Sequence, residues 1–306
     1  MIKILASDGM EKGAIAALEA KGCQVDSQFY EPDALCEAVK NYDALVVRSA
    51  TKVRTAQIDA AKEAGKLKIV IRGGVGIDNI DKAYAEENGI EVRNTPKASS
   101  QSVAELALGH MFSCARFISV AGHSMREDKW EKKAYAKGIE LQGRTLGIIG
   151  FGRIGQHLGV MAKAIGMKVV AFDIYHIDGI EDQLGIPYVE MDELLAQSDF
   201  ISVHAPAVDG GAIINAETIA KMKDGVCIIN TSRGANLDED ALLAALESGK
   251  VRAAGLDVFA SEPAQNKALY SHPMVSCTPH IGASTGEAQK RIGEEIVKII
   301  SEKFGL

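Results

Sequence analysis

The stretch Thr145-Leu-Gly-Ile-Ile-Gly150-Phe-Gly152-Arg153-Ile154-Gly155, followed by Lys168-Val-Val-Ala-Phe-Asp173, decides the fold. An apolar strand runs into a glycine turn, a helix is expected to open at about Arg153, and a second apolar strand ends in a carboxylate 23 positions after Gly150. Each part has a physical task. Gly150 permits the tight turn, Gly152 lets the backbone approach a pyrophosphate seated on the helix N-terminus, and Gly155 lets helix and strand pack closely. Asp173 is placed to accept hydrogen bonds from a ribose diol. Because Ile174 and Tyr175 follow it, with no Arg or Lys, nothing adjacent would neutralise a 2′-phosphate, and NAD is expected rather than NADP. Glycine turns before helices are common, so the reading rests on both flanking strands and the acid together.

At 306 residues the chain suits two domains of about 150 residues each. Its 47% hydrophobic and 25% charged residues are those of a globular protein rather than a disordered or fibrous one. The net charge of −7 argues against nonspecific nucleic-acid binding, so an anionic ligand needs a local cationic cluster. Cys23, Cys36, Cys114, Cys227 and Cys277 are odd in number and scattered, with no Cys-x-x-Cys pair. They read as small buried apolar residues in a reducing cytosol, and no metal site is expected. The apolar run at Met1 to Ala6 is too short for a signal peptide, and no run approaches the length of a membrane span.

Outward from the fingerprint, short apolar runs alternate with helical stretches. Strands are predicted at 2–7, 25–30, 44–49, 68–73 and 91–95, then near 145–150, 168–173, 187–190, 200–205, 225–232, 253–259 and 274–279. Between the two sets, Ser99, Ser100 and Ser102 offer N-caps to one long helix, Ser99–Met125, with apolar positions Val103, Leu106, Ala107, Met111, Cys114 and Ile118. The segment after Gly286 has helical spacing in Ile292, Ile296, Ile299 and Ile300 and could pack back on the first domain. The expectation is an α/β chain of two doubly wound, Rossmann-like parallel-sheet domains. One is discontinuous, 1–98 plus 285–306, for substrate; the other, 99–284, is for NAD. In such folds ligands bind at the carboxyl ends of the strands, so the active site is expected in the cleft between domains.

Three further segments carry the chemistry: Ile229-Asn-Thr-Ser-Arg233-Gly, Gly255-Leu-Asp-Val-Phe-Ala-Ser-Glu262-Pro and Cys277-Thr-Pro-His280-Ile-Gly-Ala-Ser-Thr. With the fingerprint they resemble the NAD-dependent D-2-hydroxyacid dehydrogenases over essentially the whole chain. Val46-Val-Arg48-Ser-Ala-Thr-Lys, Arg72-Gly-Gly-Val-Gly76-Ile-Asp-Asn-Ile-Asp, Asp128-Lys-Trp130-Glu-Lys-Lys and His280-Ile-Gly-Ala-Ser-Thr-Gly-Glu-Ala-Gln resemble the phosphoglycerate dehydrogenase branch in particular. Oxidising an alcohol beside a carboxylate needs a base for the hydroxyl proton and a cation for the carboxylate. The resemblance gives these tasks to His280 and Arg233, with Glu262 orienting the imidazole and favouring its charged form. Taken singly, the His could be structural, the Arg could cap a strand and the Glu could be a solvated turn residue.

The resemblance further implies a cofactor site made by Gly150, Gly152, Arg153, Ile154, Gly155, Asp173, His204, Ala205, Pro206, Thr231, Ser232, Arg233, Asp257, His280 and Gly282. The backbone at His204 would line that site while its side chain serves structure. Arg48, Ser49, Arg72, Gly74, Val75 and Gly76 would bind a phosphorylated substrate, the Gly73–Gly76 turn offering N–H groups as a nest does. Either arginine could instead pair with a surface acid. Lys132 lies on a dimerisation arm near 100–142, where relatives reach the partner's active site with a cation; some use Arg, so Lys lacks the bidentate fork, and a solvated charge run is the alternative. The implied activity is oxidation of 3-phospho-D-glycerate by a cytoplasmic homodimer, opening serine biosynthesis. The chain stops just past the last helix of the catalytic unit, so no regulatory domain is expected. A hydroxypyruvate or glyoxylate reductase and an NADH-sensing corepressor-like scaffold are the alternatives.

Overall fold

The computed structural model describes residues 1–207 and 210–306. They form two compact units, Met1–Ser99 with Ala283–Leu306, and Ser100–Gly282. In the first unit β1 (Lys3–Ala6), β2 (Gln24–Asp26), β3 (Ala44–Val47), β4 (Ile69–Arg72) and β5 (Glu91–Asn94) make one parallel sheet in the order β2-β1-β3-β4-β5. The period of two along each strand sends Leu5, Leu45, Val47, Val70 and Val92 into one core. Ile4, Ala6, Ala44, Val46, Ile69 and Ile71 enter the other, where the helix Gly286–Phe304 inserts Ile292, Ile296, Ile299 and Ile300. Strands apolar on both faces are what a parallel sheet between two helix layers requires.

In the second unit β6 (Thr145–Ile149), β7 (Lys168–Phe172), β8 (Phe200–Val203), β9 (Val226–Asn230), β10 (Val251–Leu256) and β11 (Val275–Cys277) form a parallel sheet ordered β11-β10-β9-β8-β6-β7. The strand order reverses between β6 and β8, and the glycine turn leaves β6 at that switch point. Loops at such a point diverge and leave a crevice for ligand.

The strand expected at 25–30 is shortened to Gln24–Asp26, and two further expected elements differ in kind. The strand expected at 187–190 is a single bridge, Tyr188 opposite Ala171. Pro187 has no N–H to extend the ladder, and Glu190 already caps the helix Met191–Gln197. The helix expected over 99–125 is two, Ser100–Arg116 and Ile118–Arg126, bent by 69°. Phe117 turns left-handed (φ 59°), its ring 5.9 Å from that of Tyr135 and 5.3 Å from the Arg252 guanidinium. Ile118 therefore leaves the buried stripe and is exposed. Of the cysteines, Cys23, Cys114 and Cys227 are buried, whereas Cys36, within the helix Pro32–Ala38, is half-buried and Cys277, the last residue of β11, is exposed. No single described helix is long and apolar enough to cross a membrane.

The C-terminal helix is capped at Thr285, whose hydroxyl accepts from the Ala288 N–H at 3.1 Å, and stops at Gly305 (φ 70°). Its contribution can be measured. Ile296→Ala removes a side chain that is 1% exposed and should destabilise the first unit by about 2–4 kcal/mol, whereas Lys298→Ala on the outer face should change stability by less than about 0.5 kcal/mol. Equal urea midpoints for the two variants would contradict this packing.

Candidate active site

At the switch point the glycines are of two kinds. A Cβ on Gly150 (φ 90°) would lie 2.6 Å from the Ala205 nitrogen, and one on Gly155 would lie 2.5 Å from the Gly150 carbonyl oxygen, so strand, turn and helix close only around glycine. Gly152 has an ordinary φ of −74°, and a Cβ there would meet no atom within 4 Å. No described residue requires glycine at that position; the open space lies over the N-terminus of the helix Arg153–Ala164, where an anion is favoured. Asp173 is joined to the turn: its Oδ2 accepts from the Phe151 N–H at 2.7 Å and its Oδ1 from the Tyr175 N–H at 3.0 Å. Each carboxylate oxygen keeps lone pairs for a diol. This donor and acceptor set fits a dinucleotide, with pyrophosphate over Gly152 and ribose at Asp173.

The ends of β8 and β9 are held together beside the turn. Asn236, fully buried, donates from Nδ2 to the Ala205 carbonyl at 2.9 Å and to Ser232 Oγ at 3.1 Å. Asn230 accepts from the Ser232 N–H and hydroxyl and donates to the Arg233 carbonyl. His204–Pro206 and Thr231–Arg233 are thereby brought together. The His204 ring meets Ser202 Oγ at 2.8 Å, and burial pushes its pKa down to about 3.

Beyond β10 and β11 lie the remaining candidates. His280 Nδ1 and Glu262 Oε2 are 2.7 Å apart. Partial burial raises the Glu262 pKa, but the hydrogen bond and charge of His280, the Phe259 N–H and the charge of Arg233 outweigh it and hold the carboxyl below its usual range. Glu262 is then ionised at neutral pH, and Nδ1 donates to it. Nε2 is left to exchange a proton. His280 sits in the left-handed region (φ 53°), uncommon outside glycine, and its N–H donates to the Asp257 carbonyl at 2.8 Å. The Asp257 carboxylate accepts from Thr278 Oγ1 (2.6 Å), the Ile281 N–H (2.8 Å) and the Gly282 N–H (2.8 Å). Arg233 reaches this group because Gly234 lets the Phe259 carbonyl close against the chain.

In the first unit Arg48 and Arg72 lie at the carboxyl ends of neighbouring strands, with Val47 paired to Arg72. The backbone of Arg48 is fixed by Asp8, which accepts from its N–H at 2.6 Å, and by Asn79, which donates to its carbonyl at 2.8 Å. The Arg72 guanidinium lies across Gly74, where any Cβ would overlap it. Asn94 donates to the Val75 carbonyl and braces the turn; Ser49 is exposed and Gly76 half-buried. Lys132 has other neighbours, Arg116, Lys133 and Tyr135, around a surface depression of the second unit.

Residues 108–282 match the profile of the D-isomer-specific 2-hydroxyacid dehydrogenase NAD-binding domain. The chain belongs to the D-2-hydroxyacid dehydrogenases. It is 50% identical to the hydroxypyruvate reductase of Thermotoga maritima over 99% of both chains. It is 44% identical to the D-3-phosphoglycerate dehydrogenase of Methanocaldococcus jannaschii over 98% of this chain but only 58% of that protein's length. The crystal structure of a glyoxylate reductase from Paecilomyes thermophila superposes with a TM-score of 0.86 at 33% identity, covering 98% of this chain and 94% of the other. The protein is thus an NAD-dependent oxidoreductase of 2-hydroxy acids.

Sequence reasoning missed Asn230 and Asn236, two asparagines that carry no signal in the sequence. For the dehydrogenase's cofactor, Asp173→Ala should raise the Kd for NADH about tenfold to a hundredfold, as expected for a charged hydrogen bond of about 1.5–3 kcal/mol. Fluorescence titration with NADH checks this, and an unchanged Kd would contradict the ribose assignment.

Proposed function

We propose that this dehydrogenase interconverts 3-phospho-D-glycerate and 3-phosphohydroxypyruvate. The observation that carries the reading is the pair Arg48 and Arg72 on adjacent strand ends beside a glycine turn, a local cationic cluster in a chain of net charge −7. Two guanidiniums with N–H groups of the turn suit a phosphate dianion. In oxidation the His280 imidazole takes the C2 hydroxyl proton on Nε2, Glu262 stabilises the imidazolium across 2.7 Å, and Arg233 holds the substrate carboxylate. NAD, when bound, would supply the acceptor for the C2 hydride, so that loss of a proton and a hydride leaves a carbonyl. The cofactor would be held by Gly150, Gly152, Arg153, Ile154, Gly155 and Asp173, with His204–Pro206, Thr231, Ser232, Asp257 and Gly282 around it.

A second reading, reduction of hydroxypyruvate or glyoxylate, is favoured by the 50% identical relative that matches over its full length. The remaining assignments follow the first reading. Phe112, Ile118, Met125 and Trp130 are exposed apolar side chains along the 100–142 arm that a homodimer would cover, with Lys132 turned to the partner's substrate. A reducing cytoplasm suits five free cysteines, and serine synthesis would be the consumer of the product.

The two readings separate on the ratio of kcat/KM for phosphohydroxypyruvate to that for hydroxypyruvate. The phosphate reading predicts a ratio well above one that falls about tenfold to a hundredfold in Arg48→Ala and in Arg72→Ala, with hydroxypyruvate turnover barely changed. A ratio near one in the parent, or one unmoved by both variants, assigns the enzyme to the small 2-oxo acids.

A further inference from the structure

The helix that opens the second unit carries a histidine that the proposed reaction does not use. His110 is 3% exposed, its Nδ1 3.1 Å from Ser276 Oγ and its Nε2 3.1 Å from Thr278 Oγ1. The Thr278 hydroxyl is 2.6 Å from Asp257 Oδ1, and Asp257, itself 1% exposed, also receives the N–H groups of Ile281 and Gly282. A hydroxyl has one proton. Facing a carboxylate, Thr278 gives that proton to Asp257 and must accept from His110; Nε2 therefore carries hydrogen, Nδ1 is the acceptor, and Ser276 donates to it. The donors run one way, from Ser276 through His110 and Thr278 to Asp257. Burial pushes the His110 pKa down against the pull of Asp257, so the ring stays in the neutral form this order requires. The space for the ring is also provided: a Cβ on Gly255 would lie 2.5 Å from His110 Cβ.

We propose that His110 is a positioning residue for proton transfer at His280. By donating to Thr278 it fixes the hydroxyl that, with two backbone N–H groups, anchors the turn 278–282 to Asp257, and this turn holds His280 left-handed and opposite Glu262. Asp257 accepts at both of its oxygens, so a Thr278 rotamer change removes one of three anchors directly beside the reacting imidazole. The inference rests on the reading of His280 as the proton-transfer group.

The test uses three substitutions that differ in what they keep. His110→Gln retains an amide N–H near the place of Nε2; His110→Asn matches only the Nδ1 side; His110→Leu keeps the bulk alone. Turnover is measured with NADH and whichever of phosphohydroxypyruvate and hydroxypyruvate the parent reduces faster. Leu and Asn should lower kcat about tenfold to a hundredfold, the scale of a small misplacement of reacting groups, with the Kd for NADH within about twofold; Gln should stay within about threefold of the parent. In a Glu262→Gln background the added effect of Leu should shrink to less than about threefold, because residues acting through one geometry are not additive. A Leu variant within about twofold of the parent overturns the inference, as does a Gln variant that falls as far as Leu and Asn. Should Leu fail to fold, Thr278→Val removes the linking hydroxyl and must itself lower kcat about tenfold; full activity there is equally fatal. A parent reaction that survives His280→Ala would unseat the reading of His280 itself, whereas an inert His280→Ala beside an unaffected His110→Leu overturns this inference alone.

Discussion

The active half of this dehydrogenase depends on one buried carboxylate. Asp257 is 1% exposed, and its partners are hydrogen-bond donors rather than a cation: one hydroxyl and two backbone N–H groups, all within 2.8 Å. A carboxylate taken out of water must be satisfied by its surroundings, and here the surroundings are the turn that carries His280. Meeting that requirement fixes the chain from Thr278 to Gly282. The left-handed backbone of His280 and the 2.7 Å approach of its ring to Glu262 follow from it.

The same logic organises the cofactor side. Gly150 and Gly155 are demanded by the approach of β8 and of the helix to the turn, while Gly152 is demanded by no described residue and leaves space where the helix N-terminus attracts an anion. Asp173, the acid proposed for a ribose, accepts from the Phe151 N–H inside the turn. Under that proposal, binding and turn geometry meet in one side chain. In the first unit the arginines lie at carboxyl ends of parallel strands, the Arg48 backbone held by Asp8 and Asn79 and the Arg72 guanidinium lying across Gly74.

Much of this was legible in the sequence because it is local. A strand, a glycine turn, a helix and a terminal acid are specified within thirty residues, and strands with apolar residues on both faces, such as Ala44–Val47, announce a parallel sheet covered on both faces. The exceptions were decided at a distance. Phe117 breaks its helix in contact with Tyr135 and Arg252, and no periodicity within the helix encodes those partners. The expected strand at 187–190 reads as apolar, yet Pro187 and the cap at Glu190 leave it one residue of pairing. His110 sits on an apolar stripe, and its partners are 166 and 168 residues away, so its meaning appears only when β11 lies beside the helix. His280, Glu262 and Arg233 are proposed on the resemblance of whole motifs, since singly each admits a structural explanation.

The claim on which the account turns is that Glu262 acts on His280 through its charge. Partial burial notwithstanding, Glu262 is held below the usual carboxylate range and stays ionised as the pH falls through neutrality, so the stabilising charge is present throughout the working range. The direct measurement is the pH dependence of kcat/KM for oxidation in the parent and in Glu262→Gln. Oxidation requires the neutral imidazole, and removing the carboxylate disfavours the imidazolium. The midpoint of the ascending limb should therefore move to lower pH in the variant. A midpoint that stays in place, or one that moves to higher pH, would contradict it.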